Sequence, residues 1–155
     1  MFTPLTNVQV LRNKKRLHIP GEDHLFLVIN SSRSGVSQLI RFTDFLKRYW
    51  NIEEELFVNM HIVLTEAVQN AARHGNRSSP SRTVCITATR DDDYYAFTVE
   101  DEGEGFDHAQ IKDPTEERRL KKAGGRGIFI MAQLADFIHF SNEGKCVKLL
   151  FYRKK

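Results

Sequence analysis

Only two cysteines occur in 155 residues. Cys85 and Cys146 lie far apart in the chain and lack the paired spacing of a zinc site, so neither a structural metal nor a disulfide framework is expected. Both fall in strand-like segments and read as buried, reduced thiols of a cytoplasmic protein. An excess of one charge is missing too. Lys and Arg number 23 against 20 Asp and Glu, a net charge of +3, which is too weak to argue for direct nucleic-acid binding. No apolar run approaches the roughly 20 residues of a membrane span. The opening MFTPLTNVQV lacks the charged-then-apolar layout of a signal peptide. There is no internal repeat, no low-complexity segment and no Walker-type phosphate loop.

What is present is the material of one globular domain. Hydrophobic residues make up 41% and charged residues 28%, and this length can bury a real core. Residues 1–13 read as a loose arm ahead of a single domain over 14–155. Lys14–Ile19 reads as a strand stopped by Pro20-Gly21, and Leu25–Ile29 is a short apolar run. A helix is expected from about residue 32 to Tyr49, with Val36, Leu39, Ile40, Phe42, Phe45 and Leu46 recurring at three and four. Asn51 with Glu54 has the form of a capping box for a second helix reaching about His74. Its apolar stripe is Leu56, Met60, Val63, Leu64, Ala67 and Ala71.

Alternation then replaces helical periodicity. Val84, Ile86 and Ala88 share one face of a strand over Thr83–Arg90, and Tyr95, Phe97 and Val99 share one over Tyr94–Glu100. The intervening Asp91-Asp92-Asp93 makes the two a hairpin. Residues 103–125 show glycine and charge with little periodicity, and a loop of that length suggests a functional lid. Arg126–Leu134 reads as a helix. Phe137–Ser141 and Lys145–Tyr152 read as a final hairpin around 142–144. The expected class is α+β, a two-layer sandwich of a mixed β-sheet with helices on one face.

Three segments carry the chemistry: EAVQNAARHGN at 66–76, DEGEGFD at 101–107 and GGRGIFIM at 124–131. Glu66 and Asn70 are four apart on a helix and lie on one side of it. A carboxylate there can take a proton from an attacking hydroxyl or water, and an amide oxygen is a hard ligand suited to Mg²⁺. Asp101 ends an apolar strand, and its carboxylate can accept from an exocyclic amine such as that of adenine. Gly103 and Gly105 allow close backbone approach to a flat ring. Gly124, Gly125 and Gly127 precede a helix whose free N–H groups suit phosphate, with Lys121, Lys122 and Arg126 close by in sequence. Each segment has an ordinary alternative: a solvated helix face, an acidic turn, a hinge before a helix. For His74, a favourable cation at a helix end is the simpler account. The order and spacing of all three together carry more than any one.

In that order the segments resemble the N box and the two glycine boxes of the gyrase, heat-shock chaperone, histidine-kinase and mismatch-repair ATPase superfamily, with its Bergerat fold. Within it the chain is most similar to the small bacterial anti-sigma-factor serine/threonine kinases, over about residues 14–152. The resemblance implies ATP and Mg²⁺ as cofactors. It makes Glu66 the base that activates a substrate serine and Asn70 the metal ligand. Asp101 would contact adenine directly and through water, with Gly103 and Gly105 bordering the base. Gly125, Arg126 and Gly127 would hold phosphates beneath a lid of about 108–124. Arg73, Phe106, Lys122, Gly124 and Ile128 complete the implied cofactor-binding set. The implied partners are a sigma factor held inactive, an anti-anti-sigma protein whose serine is phosphorylated, and a second copy of the chain in a homodimer. Neither nucleic acid nor membrane is among them. One departure stands out: the family's Gly-Thr in the last hairpin is here Gly144-Lys145-Cys146, so the threonine's support of the nucleotide site is missing or comes from elsewhere.

Two other readings compete. A nucleotide-gated binding module would use ATP or ADP to bias partner affinity without transferring phosphate. The catalytic half of a two-component histidine kinase would need a preceding helix pair with a phosphoacceptor His. None of the six histidines lies in such a context.

Overall fold

The computed structural model describes residues 23–31, 33–105 and 125–153. The expected arm, the strand over 14–19 and the lid over 108–124 lie outside the described residues. The element order is β1 (Asp23–Asn30), α1 (Arg33–Trp50), α2 (Glu54–Asn70), a π-helical turn (Ala71–Gly75), β2 (Thr83–Arg90), β3 (Tyr94–Asp101), α3 (Gly125–Leu134), β4 (Phe137–Ser141), a 3₁₀ turn (Asn142–Gly144) and β5 (Cys146–Tyr152).

The strands form one five-stranded sheet in the order β1-β2-β3-β5-β4. Every described pairing is antiparallel, which corrects the expectation of a mixed sheet within the α+β class. The physical reason is the last hairpin. β4 runs parallel to β3, but β5 folds back between them and pairs with both, so the two parallel strands never touch.

Alternation sorts the sheet into two faces. Leu27, Ile29, Val84, Ile86, Ala88, Tyr95, Phe97, Val99, Val147, Leu149 and Phe151 all point to one face and are buried. The register aligns them in rows, such as Ile29, Val84 and Asp101, or Ala88, Phe97 and Leu149. They pack with Leu39, Phe42, Leu46, Met60, Val63, Leu64, Ala67, Val68 and Met131 from the three helices in a single cluster. Trp50 closes one end of this core, stacked on Tyr95 with ring centroids 5.5 Å apart. The opposite face presents Val28, Thr87, Thr98, Lys148 and Tyr152. Cys85 and Cys146 are on that face, free and half-buried rather than fully buried, because Val84, Ile86 and Val147 beside them take the core side. Burial, with Glu100 adding to it, pushes the Cys85 thiol pKa up.

Helix α1 follows its periodicity, with one shift. Leu39, Phe42 and Leu46 are buried, whereas Val36 and Ile40 remain exposed. Asn51 does not cap α2. It adopts a left-handed φ of 51° and terminates α1, with the Ile52 N–H donating back to the Lys47 carbonyl at 3.0 Å. That is the closing bond of a Schellman end. The N-cap of α2 is Glu53, which makes no side-chain capping bond. Asn51→Ala is therefore expected to lower stability by about 1 kcal/mol, and Asn51→Gly to preserve it, because only the alanine pays the left-handed penalty. Urea melts of the two variants check this.

Candidate functional site

α2 buries Val63, Leu64, Ala67 and Val68 against the sheet. Its neighbouring flank, with Glu66 and Asn70, is left half-buried. The first turn of α3 lies directly on that flank. A Cβ placed on Gly127 would sit 2.7 Å from Glu66 Oε2 and 3.1 Å from Asn70 Nδ2, so a side chain there would displace the Glu66 carboxylate and crowd the Asn70 amide. Arg126 beside it is exposed, Gly127 is buried, and Ile128 packs on the core. Among the described residues Glu66, Asn70, Arg73 and Arg126 have no hydrogen-bonding or charged partner. Arg73 and His74 are exposed on the π turn.

A second group forms around the end of β3. Asp101 is 9% exposed. Its N–H donates to the Lys145 carbonyl at 2.9 Å, and its Oδ1 accepts the Gly103 N–H at 2.8 Å. Burial raises its pKa above the ordinary carboxylate value, and Glu100 adds to that. The Gly103 N–H and the charges of Lys145 and Arg82 oppose it. The backbone beside it leaves no spare space: a Cβ on Gly75 would overlap the Asp101 carboxyl group, and one on Gly103 would overlap the Gly75 carbonyl. Gly105 has a φ of +81° and abuts the Glu143 carbonyl, so its position requires glycine on both counts.

The structure thus gathers the expected residues into two neighbouring groups, Glu66–Asn70–Gly127 and Asp101–Gly103–Gly105, joined by the segment that leaves α2. Gly125 opens α3. Phe106, Lys122 and Gly124 lie outside the described residues. The helix carrying the first group was expected to run on to His74. Instead it widens into a π turn, with the Asn76 N–H donating to the Ala71 carbonyl at 2.8 Å. This turn delivers Gly75 and Asn76 to the end of β3.

Sequence reasoning assigned no structural role at the site to four residues: Gly75, Asn76, Glu102 and Lys145. Gly75 and Asn76 directly follow the expected helix end at His74, and nothing in the sequence signals that Asn76 is 0% exposed. Lys145 stands where the family's threonine was expected. Its backbone carbonyl holds Asp101, and its charge favours the ionised carboxylate.

The residues present fit a nucleotide with Mg²⁺. The Asn70 amide oxygen beside the start of α3 could serve as one hard ligand, with phosphate oxygens as others, which is how Mg²⁺ is ordinarily held. Among the described residues no group of three His, Cys, Asp or Glu is placed to hold a metal by itself. No described helix is long and apolar enough to cross a membrane.

Residues 32–151 match the family described as histidine kinase-like ATPase domain. The serine-protein kinase RsbW of Oceanobacillus iheyensis is 25% identical over 133 residues, covering 82% of this chain and 78% of that protein. The anti-sigma F factor of Clostridium perfringens strain SM101 is 30% identical over 105 residues, covering 65% of this chain and 74% of that protein. An anti-sigma F factor of Halalkalibacterium halodurans is 32% identical over 95 residues, covering 59% and 64%.

Proposed function

We propose that this chain, which belongs to the histidine kinase-like ATPase family and within it to the anti-sigma-factor kinases, transfers the γ-phosphoryl of ATP to a serine of an anti-anti-sigma protein. The observation that carries the reading is the seating of the α3 start on Glu66 and Asn70. It brings the start of α3, the Asn70 amide and the Glu66 carboxylate within one side chain's reach of each other, which supports a phosphate site, a metal ligand and a base there.

In this reading Asn70 Oδ1 would hold Mg²⁺, and the ion would supply charge neutralisation for the transferred phosphoryl group. Glu66 accepts the proton of the serine hydroxyl as its oxygen bonds to phosphorus and the bond from phosphorus to ADP breaks. The N–H groups of the Gly125–Gly127 turn, at the start of α3, would bind the phosphates, and Arg126 would add a cation. Little covalent work is asked of the protein, since phosphoryl transfer depends mainly on positioning and charge neutralisation. Asp101 accepts from the adenine amine at the far end of the site. The exposed Val28, Val36 and Ile40 on β1 and α1 suit the homodimer that the resemblance implies, and a sigma factor is the second partner.

Incubation with Mg²⁺, γ-labelled ATP and an anti-anti-sigma protein from the same genome tests the reading. Label is expected on a serine of that partner. Saturable nucleotide binding without transfer would instead establish the nucleotide-gated module.

The role of Asp101 gives a pH prediction. Its folded-state pKa is raised, mainly by burial, so it takes up a proton at a higher pH than an ordinary aspartate and then loses an acceptor site. ADP affinity should weaken on acidification through a range starting above the usual Asp value, and Asp101→Asn should both weaken binding and remove that component. Titration calorimetry across pH measures both effects. An unchanged affinity in Asp101→Asn would count against the adenine role.

A further inference from the structure

The last residue of the π turn and the two that follow it run alongside the turn after Asp101. Gly75 abuts Asp101 and Gly103, Asn76 meets Glu102, and Arg77 pairs with Glu104 at 2.8 Å. The middle contact is the buried one, and every polar atom of the Asn76 side chain is used in it. Nδ2 donates to Ser31 Oγ at 2.8 Å and to the Thr83 carbonyl at 2.7 Å. Oδ1 accepts the Glu102 N–H at 2.9 Å. Ser31 Oγ in turn donates to the Arg82 carbonyl at 3.1 Å. Glu102 adds a second link from the surface: its Oε2 accepts from the Thr83 N–H at 2.6 Å and from Thr83 Oγ1 at 3.0 Å. Those bonds hold its carboxyl pKa below the ordinary value.

Glu102 is therefore tied twice, by its N–H to the segment leaving α2 and by its side chain to the start of β2. It stands between Asp101 and Gly103. The local shape of the turn is kept by its own bond, Gly103 N–H to Asp101 Oδ1, and the Asp101 N–H ties the strand end to the Lys145 carbonyl of the last hairpin. What Asn76 and Glu102 fix is the position of the whole turn relative to α2. α2 carries Asn70 and Glu66.

We propose that Asn76 and Glu102 are positioning residues for nucleotide recognition, setting the separation between the base-reading Asp101 turn and the phosphate end of the site. The assignment rests on the adenine role proposed for Asp101. One nucleotide of limited span must reach both ends, so a turn that drifts relative to α2 weakens one end's contacts when the other's are made.

The test is ADP titration calorimetry on the full chain, with thermal melts alongside. Glu102 is exposed, so its variants keep the fold. Glu102→Ala is expected to raise the Kd for ADP about three- to tenfold, the worth of one hydrogen-bonded link. Glu102→Gln, whose amide oxygen still accepts the Thr83 N–H, should restore it to within about twofold. Asn76→Ala should raise Kd about tenfold or more and lower the melting temperature, since it leaves Ser31 and two backbone groups short of partners. A merely structural role would reduce the fraction of binding-competent protein, seen as stoichiometry, and leave Kd untouched. That result overturns the proposal, as does wild-type Kd in Glu102→Ala. Wild-type protein that takes up no ADP overturns the nucleotide reading and this assignment with it, whereas wild-type binding with unchanged variants overturns the assignment alone.

Discussion

Glu66→Ala is expected to lower phosphoryl transfer to the partner serine by about 10²- to 10⁴-fold, the usual contribution of a positioned general base. ADP affinity should change little. The prediction separates chemistry from binding because of where the side chain sits. Glu66 is half-buried on the flank of α2 and, among the described residues, holds no hydrogen bond or ion pair, so its truncation leaves no polar group unpaired. The space it vacates borders Gly127 and opens toward the site, not the core. Melting should therefore be close to wild type, and partner binding in the presence of ADP should survive. Asn70→Ala is the contrasting variant: it removes the proposed metal ligand and should weaken the Mg²⁺ dependence of nucleotide binding as well as transfer. Label transfer at wild-type rate in Glu66→Ala would end the assignment of the base. Loss of ADP binding in that variant would show that the carboxylate belongs to the nucleotide site itself.

The fold was readable where periodicity is strong. Val84, Ile86 and Ala88 alternate without interruption, and the strand and its buried face follow directly. The same holds for Met60, Val63, Leu64 and Ala67 at helical spacing, which also placed Glu66 and Asn70 on the flank. Reading failed where one residue can satisfy two rules. Asn51 suits an N-cap and also suits the left-handed end of a helix. The chain uses it for the latter, because Ile52 is drawn into the core at 6% exposure and its N–H closes on Lys47. Sheet type depended on strand order, which no local pattern encodes: β5 lies between β3 and β4 only because the last hairpin folds back on the sheet. Of the site, the motif glycines marked where backbone comes close. What they come close to, Gly75 against Gly103 or Gly105 against Glu143, joins segments far apart in sequence and emerges only once the π turn and the sheet register are in place.

The glycines also supply the second large effect. Gly103→Ala is expected to weaken ADP binding by about 10²-fold or more, the cost of displacing a positioned group by about an ångström. It should also destabilise the fold by about 1–3 kcal/mol, as overpacking does. The obstacle is space rather than φ, since only Gly105 and Gly144 have positive φ among the described glycines. The added methyl would overlap the carbonyl of Gly75 and come within 2.8 Å of Asp101 Oδ1. Neither has an easy escape. The Gly75 carbonyl belongs to the π turn that continues α2, and the Asp101 oxygen is already bonded to the Gly103 N–H. The turn must move away from α2, which takes Asp101 with it. Gly127→Ala makes the comparison sharp, because there the nearest atom is the end of the Glu66 side chain at 2.7 Å, and a flexible side chain can swing aside. That variant should fold and bind ADP more nearly as wild type does, while transfer falls because the carboxylate has left its place. Melts, ADP titrations and label transfer on the two variants distinguish the cases. Wild-type ADP affinity in Gly103→Ala would mean that the tight seam between residues 75 and 103 does not set the adenine end of the site.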